Sequence, residues 1–236
     1  MSYLNTKPLI YGFEQGMMAE KMELVIDYPS LVAAKLLSDE IDVGLVPVAI
    51  IPSLPHHDII ADYCIGCDGE VASVCLFSNL PLNEIETILL DYQSRTSVAL
   101  LKVLLKEHWK ISPALIPAAE AYEKDITGSS AGLIIGDRAL RQRAHSKYIY
   151  DLGSAWKEMT GLPFVFAAWI SNKPIDESFR GEFNRCNKFG LDHLDNVIQQ
   201  TNYQSYDLEK YYTKNISYQL DDRKKEGLNL FLRYIS

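Results

Sequence analysis

The chain has 236 residues, of which 47% are hydrophobic and 23% charged, enough apolar material for one large domain or two small lobes with real cores. Its formal net charge of -8 argues against a nucleic-acid surface, which needs clustered Lys and Arg. An anionic small molecule is still compatible with that charge if its pocket is locally positive. No run approaches the roughly 18 apolar residues of a membrane span. No basic start, apolar run and small-residue cleavage site marks a secretory leader, so a reducing cytoplasm is the expected compartment.

The chain opens on a dense polar run, Ser2-Tyr3-Leu4-Asn5-Thr6-Lys7-Pro8. Asn5 can donate and accept at once, Ser2 and Thr6 can do the same through hydroxyls, and Pro8 fixes φ at the exit. On spacing alone this is either a functional loop or a helix start with Thr6 as N-cap and Pro8 in the first turn. Met22 to Asp27 then reads as a strand, and Pro29-Ser30 opens a helix through about Leu37. Ile41 to Ala49 reads as a strand ending in a Pro-containing loop, and Val71 to Phe77 as another. Ser78 to Leu82 reads as a crossover, Ile88 to Asp91 as a strand, and Ser94 to Lys110 as a strong helix with Val98, Leu101, Leu104 and Trp109 in phase. Ala131 to Gly136 is a buried-type strand, and Leu162 to Ile170 an apolar run back out of a second lobe. The last 60 or so residues read as helical, with Leu228, Phe231 and Tyr234/Ile235 as a docking stripe.

Short apolar runs alternating with helical periodicity make this an α/β chain. Two crossings divide it into a discontinuous lobe one (1–78 plus 169–236) and lobe two (79–168), with a ligand cleft between them. Ligands in such folds sit where strand ends, loops and helix N-termini converge.

Four polar clusters follow or end strands: residues 2–8, Gly69 to Ser73, Ser94 to Ser97, and Gly136-Asp137-Arg138. Ser94-Arg95-Thr96-Ser97 has the clearest physics. A helix N-terminus attracts anions, hydroxyls add donors, and Arg95 adds a fork suited to a carboxylate. The plainer reading is that Ser94 caps the helix and Arg95 is solvated. Asp137-Arg138 fits a cleft element and a surface ion pair equally well. Cys64-Ile65-Gly66-Cys67 has C-x-x-C spacing, but no second pair completes a zinc site and no helix follows as in a thioredoxin-like motif. His56-His57 reads as a solvated loop. No H-E-x-x-H, Gly-rich phosphate loop or G-x-S-x-G elbow is present, and nothing in the chain asks for a nucleotide, flavin or metal cofactor.

Taken in order, the motifs resemble a known family. They are Ser2 to Pro8, Asp42-Val-Gly-Leu-Val-Pro-Val48, Gly69-x-Val-x-Ser-Val74 with Leu76-Phe77-Ser78, Ser94 to Ser97, Ile135-Gly136-Asp137, and the run Asp151-Leu-Gly-x-x-Trp156 through Thr160 and Phe166 to Trp169. Together they look like the chorismate dehydratases of the futalosine route to menaquinone, over nearly the whole chain. The sister dihydroxynaphthoate synthases, with an N-terminal loop rich in Ser, Pro and Asp, are the weaker match.

The resemblance implies a periplasmic-binding-protein-like type II fold used as a cytoplasmic lyase. The implied reaction removes water from chorismate to give 3-[(1-carboxyvinyl)oxy]benzoate. It assigns catalysis to Asn5 and Ser73, and substrate contacts to Ser2, Tyr3, Thr6, Ser94, Arg95, Thr96, Ser97, Gly136 and Asp137. The motifs contain no obvious Glu, His or Lys base except Lys7, so the substrate's own enolpyruvyl carboxylate is the expected proton acceptor. No membrane or nucleic-acid partner is implied, and a homodimer is left open. Family members have a short strand ahead of the Ser-Tyr-Leu-Asn loop, whereas this chain starts on the loop itself. A solute-binding protein that captures a small carboxylate without chemistry is the competing class.

Overall fold

The computed structural model describes residues 3–236, so Ser2 lies outside the described residues. Leu4–Thr6 form a 3-10 turn that runs directly into α1 (Lys7–Glu14). Then come α2 (Pro29–Leu37), β1 (Val43–Pro47), β2 (Asp58–Cys67), β3 (Val74–Ser78), β4 (Thr87–Leu90) and α3 (Arg95–Leu104). β5 (Ala114–Pro117), β6 (Ser130–Ile135), α4 (Gly136–Gln142), β7 (Tyr148–Asp151), α5 (Leu152–Thr160) and β8 (Phe164–Ser171) follow. The chain closes with α6 (Glu177–Asp192), α7 (Leu194–Gln199), α8 (Leu208–Lys210), β9 (Ser217–Gln219) and α9 (Asp222–Ile235).

The strands form two sheets, ordered β1-β8-β2-β9 and β5-β4-β6-β3-β7. The first is antiparallel throughout, with Gly44 opposite Ile170 and Cys64 opposite Ala168. In the second, β4 runs parallel to β5 and β6, while β3 is antiparallel to β6 and β7. The chain changes sheet between Cys67 and Val74 and returns between Asp151 and Phe164. Residues 78 and 168, where the crossings are expected from sequence, fall inside β3 and β8.

α1 lies on α6 so closely that a Cβ on Gly190 would sit 1.9 Å from the Pro8 carbonyl oxygen. This contact fixes the exit of the opening segment. The α9 stripe packs largely as its spacing predicts. Leu228 and Phe231 are buried, and the Phe231 ring stands edge-on to Phe164 at 4.9 Å and to Trp156 at 6.2 Å. Tyr234 touches Trp156 but stays 43% exposed.

Three elements depart from their sequence reading. Met22 to Asp27 alternates in burial only as far as Val25, with Met22 and Leu24 half-buried and Glu23, Val25 and Ile26 exposed, and pairs with no strand. Alternation alone makes no strand without a neighbouring ladder. The helix from Ser94 does reach Trp109, but its last turn, Leu105–Trp109, widens to π geometry, and Lys110 ends it with φ 54°. The C-terminal stretch is not purely helical, because β9 pairs with β2. No helix among the described residues is long and apolar enough to cross a membrane.

Candidate active site

One cavity of about 490 Å³ gathers most of the polar clusters. Tyr3, Asn5 and Thr6 line it from the opening segment, Ser73 from the first change of sheet, Gln93, Ser94 and Ser97 from the start of α3, and Gly136 from α4. It continues past Phe166 and Trp169 into an apolar groove between residues 22–27 and β1, floored by Phe179 and Phe183.

The opening segment is a helix start that also lines the cavity. Thr6 occupies the N-cap position of α1 with Pro8 in the first turn, although its side chain makes no cap bond. The same turn presents Asn5 and Thr6 to the cavity. Tertiary bonds hold it there. The Leu4 N–H donates to Asp137 Oδ1 at 3.1 Å, the Tyr218 hydroxyl donates to the Asn5 carbonyl at 3.0 Å, and the Tyr3 hydroxyl donates to Gln93 Oε1. Burial pushes the Asp137 carboxyl above the usual carboxylate range, with the Leu4 N–H pulling the other way. Burial, helped by the Asp91 carboxylate, pushes the Tyr3 phenol well up, so it stays a neutral donor. Gly136 has φ 61°, and a Cβ there would lie 2.6 Å from the Tyr3 ring, so only glycine lets that ring seat.

Ser73 is held by an unusual turn. Ala72 has φ 61°, and the Ser73 N–H donates to the Val71 carbonyl at 2.7 Å. Asp151, the N-cap of α5, accepts from the Val71 N–H at 3.1 Å, the Ala72 N–H at 2.8 Å and the Ser154 N–H at 3.0 Å. Burial raises its carboxyl even against those three donors. The Ser73 carbonyl accepts the Gly136 N–H at 2.7 Å, which ties this turn to the start of α4. Glu70, just upstream, is clasped by Arg143 at 2.6 Å and by the Asn215 amide at 3.2 Å.

At the start of α3 the plainer reading of Ser94 is realised. Its Oγ accepts the Ser97 N–H at 3.0 Å and donates to Ser97 Oγ at 2.8 Å. Both side chains still line the cavity. Arg95 and Thr96, expected as substrate contacts, do not. Arg95 is exposed and faces a surface depression shared with Lys102 and Lys106. Thr96 is buried and its hydroxyl accepts the Ala49 N–H at 3.1 Å, which anchors the segment after β1. Asp137 does not line the cavity either; it acts behind the opening segment. Arg138 pairs with Asp91 at 2.6 Å and Glu123 at 3.0 Å and donates to Gln93 at 3.2 Å, a cluster that backs Tyr3.

The cavity's charged lining residues are mostly committed to partners. Lys21 pairs with Glu182 at 2.6 Å, Lys35 with Asp27 at 3.1 Å, and Asp42 with Lys173 at 2.5 Å. Around Asn5 and Ser73 the donors are therefore neutral. Cys64 and Cys67 lie within β2, both fully buried. Burial pushes the Cys64 thiol up to about 12 and the Cys67 thiol well up, so neither carries thiolate chemistry. Sequence reasoning missed Tyr211, whose hydroxyl meets Ser73, as well as Tyr218 and Gln93. None of the three carries a local sequence signal.

Two α/β sheets joined by two crossings, with polar turns converging on one cavity, define a two-lobed periplasmic-binding-protein-like fold. The same fold is seen in a crystal structure of a protein from Archaeoglobus fulgidus, with a TM-score of 0.72 at 15% identity, covering 98% of this chain and 93% of that one. It is seen again in the alkanesulfonate-binding protein SsuA from Xanthomonas axonopodis pv. citri, with a TM-score of 0.58 at 12% identity and coverage of 98% and 90%. The chain belongs to the menaquinone biosynthesis family, which matches residues 1–236. Among curated relatives, a chorismate dehydratase from Thermus thermophilus is 28% identical over 260 residues, covering 97% of this chain and 91% of the relative. Another from Campylobacter jejuni is 27% identical over 236 residues, covering 98% and 89%.

Proposed function

We propose that this protein dehydrates chorismate to 3-[(1-carboxyvinyl)oxy]benzoate, the entry step of the futalosine route to menaquinone. The observation that carries the reading is the convergence of Asn5, Ser73, Ser94 and Ser97 on one cavity in a chain whose relatives of near-equal length are named chorismate dehydratases. The lobes take their boundaries from the sheets, with lobe two running from about Val74 to Asp151 and closing on lobe one around the substrate.

In the reaction the C3 proton and the C4 hydroxyl leave as water and the ring becomes aromatic. The C3 proton is acidic because the carbanion is conjugated through the diene to the ring carboxylate. Stabilising that delocalised charge with fixed donors is the largest contribution available to the protein. Asn5, Ser73 and the Ser97 hydroxyl are neutral donors suited to it. Among the described residues, no carboxylate or imidazole lines the cavity beside Asn5 and Ser73, and the enolpyruvyl carboxylate of the substrate takes the C3 proton and passes it to the departing C4 hydroxyl, which leaves as water. Asn5 and Ser73 hold that carboxylate and the leaving hydroxyl in line.

Incubation with chorismate tests this directly. The diene absorbance should fall as an aromatic enol ether appears, and Asn5→Ala and Ser73→Ala should each abolish most of that turnover. Retained turnover in either variant sinks the residue assignment. Binding of chorismate without turnover would instead make the protein a small-carboxylate binder.

A further inference from the structure

The Ser73 hydroxyl has a buried partner. Ser73 is completely buried, and its backbone N–H and carbonyl are both bonded within the protein. The hydroxyl of Tyr211, which does not line the cavity, donates to Ser73 Oγ at 2.8 Å. The two residues are 138 positions apart in sequence. Tyr211 is itself completely buried, with its ring against Tyr206 and Tyr212 at 6.1 and 5.6 Å. It opens the π turn Tyr211–Asn215, and the far end of that turn, Asn215, bonds the Glu70 carbonyl at 3.3 Å. One turn thus grips the Glu70–Ser73 segment at two points. Single π turns inside helical segments often mark functional sites.

A serine hydroxyl has one hydrogen to donate and two positions at which to accept. When Tyr211 fills an accepting position, the Ser73 hydrogen is left for a partner in the cavity. We propose that Tyr211 is a positioning residue that sets the Ser73 hydroxyl as a donor aimed at the substrate. The inference rests on the chorismate-dehydrating reading above. It assigns to a tyrosine outside every sequence motif the task of orienting a motif residue. Burial pushes the Tyr211 phenol well up, which keeps it a neutral donor throughout the working pH range.

The test is a double-mutant cycle in the full chain, read as chorismate turnover. Tyr211→Phe keeps the ring packing and removes only the bond. It should lower kcat/KM about five- to tenfold, the worth of one aligned hydrogen bond. In a Ser73→Ala background the same change should alter the residual rate by less than about twofold. Equal losses in both backgrounds would make Tyr211 a packing residue and overturn the proposal. A second readout needs no catalysis. With 3-fluorotyrosine placed at position 211, Ser73→Ala should move the fluorine resonance, and an unmoved resonance overturns the bond itself. A parent protein that leaves chorismate intact overturns the functional reading, and the fluorine experiment then still decides whether Tyr211 bonds Ser73.

Discussion

Gly136→Ala is the sharpest probe of how the opening segment is seated. Two separate costs are expected. Forcing a Cβ into a left-handed backbone with φ 61° costs roughly 1–2 kcal/mol. The new methyl would also lie 2.6 Å from the Tyr3 ring, and an aromatic ring cannot yield as a flexible chain end would. Overpacking of this kind costs about 1–3 kcal/mol. Together they predict a loss of about 2–5 kcal/mol in urea unfolding. Tyr3 displaced from this seat also releases Gln93, so turnover should fall as well. The two costs separate in a Tyr3→Ala background, where the ring is gone and only the backbone cost of roughly 1–2 kcal/mol should remain. A loss below about 1 kcal/mol in the parent, or an equal loss in both backgrounds, would refute the reasoning.

Arg95→Ala should leave kcat and KM for chorismate within about twofold, because the side chain is exposed on the outer face of α3, and a large rise in KM would return it to the site. Thr96→Val should cost about 1–3 kcal/mol in thermal or urea unfolding by leaving the Ala49 N–H without its acceptor. Asp137→Asn carries a pH signature. Burial raises the folded carboxyl above its ordinary value of 3.8, so the folded chain holds that proton to higher pH than the unfolded chain does. Stability from this group is greatest below the ordinary value and declines as pH rises toward the raised one. The stability difference between parent and variant should therefore shift in the variant's favour from about pH 4 upward and then level off. A difference that does not change with pH rules this out.

The elements best read from sequence are those whose signals are local. Pro29 in the first turn of α2, and Ser94 ahead of the buried Leu101 and Leu104, mark helices that form where expected. β2 escapes such reading because its register slips between Ile59 and Cys64 and again between Ile65 and Gly66, which breaks the period-two pattern. Within the site, Asn5, Ser73 and Gly136 stand in legible motifs and do reach the cavity. Helical phase places Arg95 on the outer face of α3. Thr96, Ser97, Leu100, Leu101, Val103 and Leu104 form the buried face, which leaves position 95 outside with Lys102 and Lys106. Tyr211 was not legible at all. Its bond to Ser73 exists only once the C-terminal segment folds back across the first change of sheet, and no spacing rule spans that distance.

The place of β1 at the margin of its sheet has a consequence for handling the protein. An edge strand is a template for unwanted pairing, and this one borders an apolar groove. Two features limit the exposure. Pro47 ends the strand without an N–H to offer, and just before its start Asp42 holds a charge pair with Lys173 at 2.5 Å. Only Val43 to Val46 remain between these guards, too short a stretch to recruit a foreign strand readily. High salt screens both this exposed pair and the repulsion between copies that each carry a net charge of -8, and so weakens these guards together.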